Sequence, residues 1–110
     1  MTVFARLRAL RAFEKKHFPY LRTLEDYDLV REIGYHQENG GRLTMKQLYL
    51  LDVASVATVQ RRLRRLRQLG VVQQVRSDKD GRALEIQVTP RIVKSFARYL
   101  ELLRGGEARD

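Results

Sequence analysis

Six arginines, at positions 61, 62, 64, 65, 67 and 76, stand between Val53 and Ser77, a stretch that contains neither Asp nor Glu. A guanidinium is planar, permanently charged and able to present paired N–H donors to a phosphate or to the edge of a guanine. A run of them without counter-charge is therefore chemistry for a polyanion. The run supplies six of the nine net positive charges of the 110-residue chain, and everything outside it is only mildly basic. Charge this localised points to a binding face more than to general solubility. The plainer reading is a solvated helix face, although such faces usually mix both signs.

Little else in the chain could do chemistry. With no cysteine there is no disulfide framework, thiol nucleophile or cysteine-ligated metal. The two histidines, His17 and His36, fall in separate helical segments, with no carboxylate cluster or Gly-rich phosphate loop beside them. No catalytic residue, metal or cofactor is therefore expected, and the chain is not expected to be an enzyme. Tyr35 next to His36 invites a ligand-site reading, but one histidine without a second candidate ligand in its segment is better read as structural or surface-exposed.

The arginines need an element to position them. Val56, Val59, Leu63, Leu66 and Gly70 recur at three-and-four spacing, which places them on one face of a helix. At about 100° per residue the opposite face carries Ala57, Thr58, Arg61, Arg65 and Gln68, flanked by Gln60, Arg62 and Arg64. Ser55 can cap the start, and Gly70 can end the helix in a left-handed conformation. Upstream, Thr44 and Gln47 make a T-x-x-Q capping box for a short helix with Leu48, Leu51 and a further candidate, Leu50, as its apolar residues. Asp52, Val53 and Ala54 then form a turn of helix-turn-helix length, which makes the arginine-rich helix the second of the pair, the one expected in a major groove.

The rest of the chain frames this pair. A helix over 2–16 has Val3, Phe4, Leu7, Leu10 and Phe13 or Ala12 on its apolar side, and Pro19 ends or bends it. Its basic amphipathic character also admits a membrane-surface reading. Thr23 caps a second helix through Leu24, Tyr27 or Asp28, Val30, Ile33 and His36 or Gln37, stopped by Asn39, Gly40 and Gly41. Gly34 within it costs roughly 1 kcal/mol against Ala, which close packing would explain. Arg42 and Leu43 could make a short strand. After Gly70 the period changes: 71–76 and 82–89 are strand-like, the second with Leu84, Ile86 and Val88 on one face, and the polar SDKDG between them turns the chain. This is a β-hairpin, and behind a helix-turn-helix it is a wing. Pro90 opens a last helix through Ile92, Val93, Phe96, Leu100 and Leu103. The expected fold is mainly α with a small β-hairpin wing, one winged helix-turn-helix domain over 1–104 and a disordered tail at 105–110. Neither a signal peptide nor a membrane-length apolar run is present, so a soluble cytoplasmic protein is expected.

From Leu43 to Thr89 the chain resembles the winged helix-turn-helix of MarR-type transcription regulators, with LTMKQL as first helix, SVATVQRRLRRLRQLGVV as recognition helix and DGRALEIQVT as wing. The D-x-R pattern of the family is matched by Asp80 and Arg82, and the threonine that ends its strand by Thr89. The resemblance implies sequence-specific binding of double-stranded DNA, with Asp80 shaping the wing and Arg82 reaching a minor groove. The expected DNA-facing residues are Ser55, Ala57, Thr58, Gln60, Arg61, Arg62, Arg64, Arg65, Lys79 and Arg82. Thr58 and Arg61 are expected nearest base edges and Arg65 on a phosphate, whereas Arg62, Arg64 and Arg67 flank the buried stripe. A homodimer is expected through the terminal helices, by Phe4, Leu7, Leu10, Phe96, Leu100 and Leu103, although family members usually have longer terminal helices than this chain has room for. The competing reading is a winged-helix module for protein assembly or RNA binding.

Overall fold

The computed structural model describes residues 2–79 and 81–105. Asp80 and the predicted tail from residue 106 onward lie outside them. The chain divides into two compact units, Leu21–Thr89 and a unit that joins residues up to Tyr20 with those from Pro90.

The larger unit holds α2 (Leu24–Glu38), β1 (Leu43–Thr44), α3 (Met45–Leu50), α4 (Val56–Gln68), β2 (Val72–Arg76) and β3 (Leu84–Val88). Each helix starts where a side chain can satisfy its orphan amides. Thr23 Oγ1 accepts from the Asp26 amide at 3.2 Å and Asp26 Oδ2 accepts from the Thr23 amide at 3.2 Å, a capping box that uses aspartate. Thr44 and Gln47 form the expected box at α3, at 3.2 and 2.9 Å. The three strands make an antiparallel sheet in the order β1-β3-β2, with Leu43 opposite Ile86 and Val72 opposite Val88. The strand predicted at Arg42 and Leu43 is displaced by one residue, to Leu43–Thr44.

Leu29, Val30, Ile33, Leu43, Leu48, Val59, Leu63, Leu66, Val71, Val72, Ile86 and Val88 are buried. Burying each such side chain stabilises the fold by about 1.5–3 kcal/mol. Several expected core positions stay exposed: Leu24 in the first turn of α2, Leu50 and Leu51 at the end of α3, and Leu84 at the tip end of β3. Each sits at the end of an element, beyond the neighbours that cover its middle. Leu29, which the periodic reading passed over, is wholly buried instead.

Beyond the short β1, the edge of β3 is completed by a side chain. Gln37 on α2 accepts from the Val88 amide at 2.7 Å and donates to its carbonyl at 3.3 Å. Gly34 lies one turn earlier on α2. A Cβ built there would meet Val88 Cγ2 at 3.7 Å, an ordinary van der Waals distance, so close packing does not require the glycine.

The second unit pairs α1 (Val3–His17) with α5 (Pro90–Leu103). They run antiparallel: Phe13 lies 5.6 Å from Tyr99 by ring centroids, and Phe18, just past α1, stacks on Phe96 at 4.4 Å. The Tyr99 hydroxyl donates to Glu14 Oε2 at 2.6 Å. Leu10, Phe13, Phe18, Ile92 and Leu102 are buried, while Val3, Phe4, Leu7, Val93, Leu100 and Leu103 are exposed. Two residues expected at a dimer surface, Leu10 and Phe96, are therefore engaged within the chain, because the two terminal helices pack on one another. No described helix is long and apolar enough to cross a membrane.

Because Gly34 has helical geometry and room for a methyl group, Gly34→Ala is expected to raise stability by about 0.5–1 kcal/mol, seen as a higher urea midpoint with an unchanged slope.

Candidate nucleic-acid interface

The turn between α3 and α4 is closed by Asp52 at φ 56°, a left-handed conformation that a short polar side chain tolerates. Ser55 then caps α4: its hydroxyl accepts from the Thr58 amide at 3.2 Å and donates to the Thr58 hydroxyl at 3.0 Å. At the far end Gly70 has φ 74°, as a left-handed stop requires. The Thr89 hydroxyl donates to the Gly70 carbonyl at 2.8 Å, so the residue just after β3 is bonded to the residue that stops α4.

Between these ends only Val59, Leu63 and Leu66 are buried. Val56 and Gly70, expected on the buried stripe, are exposed, since α2 and β2 cover only the middle of the helix. The exposed residues are Ser55, Ala57, Gln60, Arg61, Arg64, Arg67 and Gln68. Thr58, Arg62 and Arg65 are half-buried on the flank beside α2.

That flank holds a buried carboxylate. Asp26, in the first turn of α2, is wholly inaccessible. Its Oδ2 accepts from the amides of Arg22 at 2.9 Å and Thr23 at 3.2 Å. Arg62 Nε lies 3.7 Å from Oδ1 and Arg65 Nη1 3.8 Å from Oδ2. The face opposite the apolar stripe was expected to carry Arg65 outward, with Arg64 on its edge. The structure turns this around, because a projection from sequence counts only the core side of a helix and not a neighbour on its flank.

The wing is tied down in a similar way. Its two strands are joined across 77–83, where the Ser77 amide donates to the Ala83 carbonyl at 3.0 Å. Arg76 Nη1 donates to the Gly81 carbonyl at 2.9 Å, and Arg42 pairs with Glu85 at 3.2 Å and Asp78 at 3.4 Å. Lys79 and Arg82 are exposed at the tip. The turn-shaping role expected of Asp80 falls outside the described residues. An open groove of about 760 Å³ lies beside the wing, but Arg42, Asp78 and Glu85 on its wall are engaged with one another. His36, which lines the same groove, sits 3.7 Å from Glu32 one turn back on the same helix.

Sequence reasoning missed the roles of Asp26, Gln37, Arg42 and Arg76 in tying elements together. Only Asp26 left a signal, three residues after the Thr23 cap, and nothing there announces its burial.

This arrangement of helices and sheet recurs in solved structures. A crystal structure of an S. aureus MepR–DNA complex superposes with a TM-score of 0.71 at 16% identity, covering 94% of this chain and 73% of that one. The crystal structure of MarR gives 0.53 at 21% identity, over 92% and 77% of the two chains. A probable transcriptional regulator from Pseudomonas aeruginosa gives 0.57 at 18%, over 94% and 74%. The fold is that of the MarR-type regulators. No protein-family model and no curated protein matches the chain. The MarR-type fold has α4 between a capped turn and a wing.

Truncating Asp26 removes a helix cap and leaves two half-buried guanidiniums without their carboxylate. Asp26→Ala is expected to lower unfolding free energy by about 3 kcal/mol, measured by urea denaturation.

Proposed function

We propose that this protein is a transcription regulator that binds double-stranded DNA sequence-specifically, with α4 in a major groove, and that it acts in the cytoplasm. The observation that carries the reading is the exposed face of α4, where Ala57, Gln60, Arg61, Arg64 and Gln68 lie together without an acidic residue. Arginine and glutamine are the side chains suited to guanine and adenine edges, and the small Ala57 lets the helix approach closely. Ser55 and Thr58, bonded to one another at the helix start, are placed at the phosphate border, and Lys79 and Arg82 at the wing tip face the neighbouring groove. The likeness in fold to MepR, whose complex with DNA is known, agrees with this assignment.

Arg61→Ala is expected to cost about 1–3 kcal/mol of discrimination between a selected site and random duplex. Arg64→Ala should weaken both alike and reduce the salt slope by about 0.9. Titrating duplex DNA and RNA over a range of salt, with a site selected from a random pool, checks both. Unchanged affinities in both variants, or a preference for RNA, would sink the assignment.

A homodimer completes the proposal, because two copies would read two half-sites about one helical turn apart. The surface for it is Val3, Phe4 and Leu7 of α1 with Leu100 and Leu103 of α5, exposed apolar residues around a groove of about 300 Å³ lined in part by Leu7, Leu10 and Leu103. Phe4, at 80% exposed, is the cleanest probe, since its loss disturbs no packing within the chain. Sedimentation at micromolar concentration should give twice the chain mass for the parent and a shift to the monomer for Phe4→Asp with Leu100→Asp. A monomeric parent would rule the dimer out.

A further inference from the structure

Asp26 has more to do than cap a helix. Its carboxylate is fully buried, yet both hydrogen bonds it accepts fall on Oδ2; Oδ1 accepts none among the described residues and faces Arg62 Nε at 3.7 Å. Arg65 Nη1 approaches Oδ2 at 3.8 Å. Two of the five arginines on α4 are thus bound to one negative charge beneath the surface, with their side chains only 24% and 22% exposed. Arg61, Arg64 and Arg67 remain exposed.

We propose that Asp26 is a positioning residue for specificity: it withholds Arg62 and Arg65 from DNA phosphates and so limits the sequence-independent part of binding. The proposal rests on the DNA-binding reading above. Phosphate attraction strengthens binding to every sequence alike, whereas base contacts separate one sequence from another. An α4 that offered all five guanidiniums to the backbone would bind random duplex more tightly and discriminate less. Releasing the two held ones would leave a buried carboxylate without counter-charge, a cost that an exposed, salt-screened phosphate contact does not offset. The withholding is therefore stable in the bound state as well as in the free one.

The test compares Asp26→Asn and Arg65→Met with the parent, each titrated against random duplex and against a selected site over a range of salt. Asparagine keeps an acceptor for the Arg22 and Thr23 amides but removes the charge. The expected result for Asp26→Asn is several-fold tighter binding to random duplex, a salt slope steeper by about 1–2, and a smaller ratio between selected and random sites. Arg65→Met should keep the parent's slope. A carboxylate with only a structural role would instead lower affinity for all duplexes and leave the slope unchanged or shallower, and that result overturns the proposal. So does a slope reduced by about 0.9 in Arg65→Met, which also decides the matter if Asp26→Asn fails to fold. A parent that binds no duplex at any salt would fail the DNA-binding reading itself, and the proposal with it; a binding parent with an unchanged Asp26→Asn slope fails the proposal alone.

Discussion

The buried carboxylate of Asp26 is the constraint on which the arrangement of α4 depends. An ionised group taken fully out of water is tolerated only when hydrogen bonds and opposite charge surround it. Here two backbone amides come from the start of α2 and two guanidiniums from α4. The same atoms that end one helix's orphan amides therefore fix the rotation of another about its axis. Apolar packing by Val59, Leu63 and Leu66 holds α4 against the unit without direction; the ion pairs specify which of its polar faces is left to water.

A second set of contacts fixes the ends. The left-handed Gly70 closes α4, its carbonyl accepts from the Thr89 hydroxyl, and the Thr89 amide donates to the Val71 carbonyl. The last residue of the hairpin is thereby bonded to the first residues after the helix. Gln37 serves the opposite edge of β3, substituting side-chain amide for missing strand where β1 has ended. A sheet of three short strands has few ladder bonds to spare, so two side-chain bonds at one edge residue keep β3 in register. Arg42 and Arg76 then hold the connection between β2 and β3 through Asp78, Glu85 and the Gly81 carbonyl.

Local signals of this architecture were legible from the residues. Ser55, Thr44 and Thr23 cap where hydroxyl chemistry says they should, Gly70 stops α4, and the change from helical to alternating period at Val71 marks the hairpin. These depend on neighbours within a few positions, which sequence displays directly. What was not legible depends on partners far along the chain. The pairing of Asp26 with Arg62 and Arg65 spans more than thirty positions, and that of Arg42 with Glu85 spans 43. Periodicity gives a helix one buried side and calls the rest open, so it put Arg65 outward and misjudged Leu24, Leu50 and Val56 at element ends. Leu10 and Phe96 were placed at an intermolecular surface for a related reason: an apolar stripe shows that a partner exists and leaves open whether it is the next helix or the next molecule.

The same lesson bears on charge. Six arginines in an acid-free window look like six positive charges for a polyanion, and the count is correct only for the window. Folding brings one acid to it from elsewhere: Asp26 to Arg62 and Arg65. Arg76 directs one N–H of its guanidinium to a backbone carbonyl within the wing and stays at the surface. Three arginines, 61, 64 and 67, stay exposed on α4, joined there by Gln60 and Gln68. Of the six, two share one buried carboxylate and four, at 61, 64, 67 and 76, meet solvent. Folding thus segregates the arginines into those whose charge is tied to a buried carboxylate and those that meet solvent.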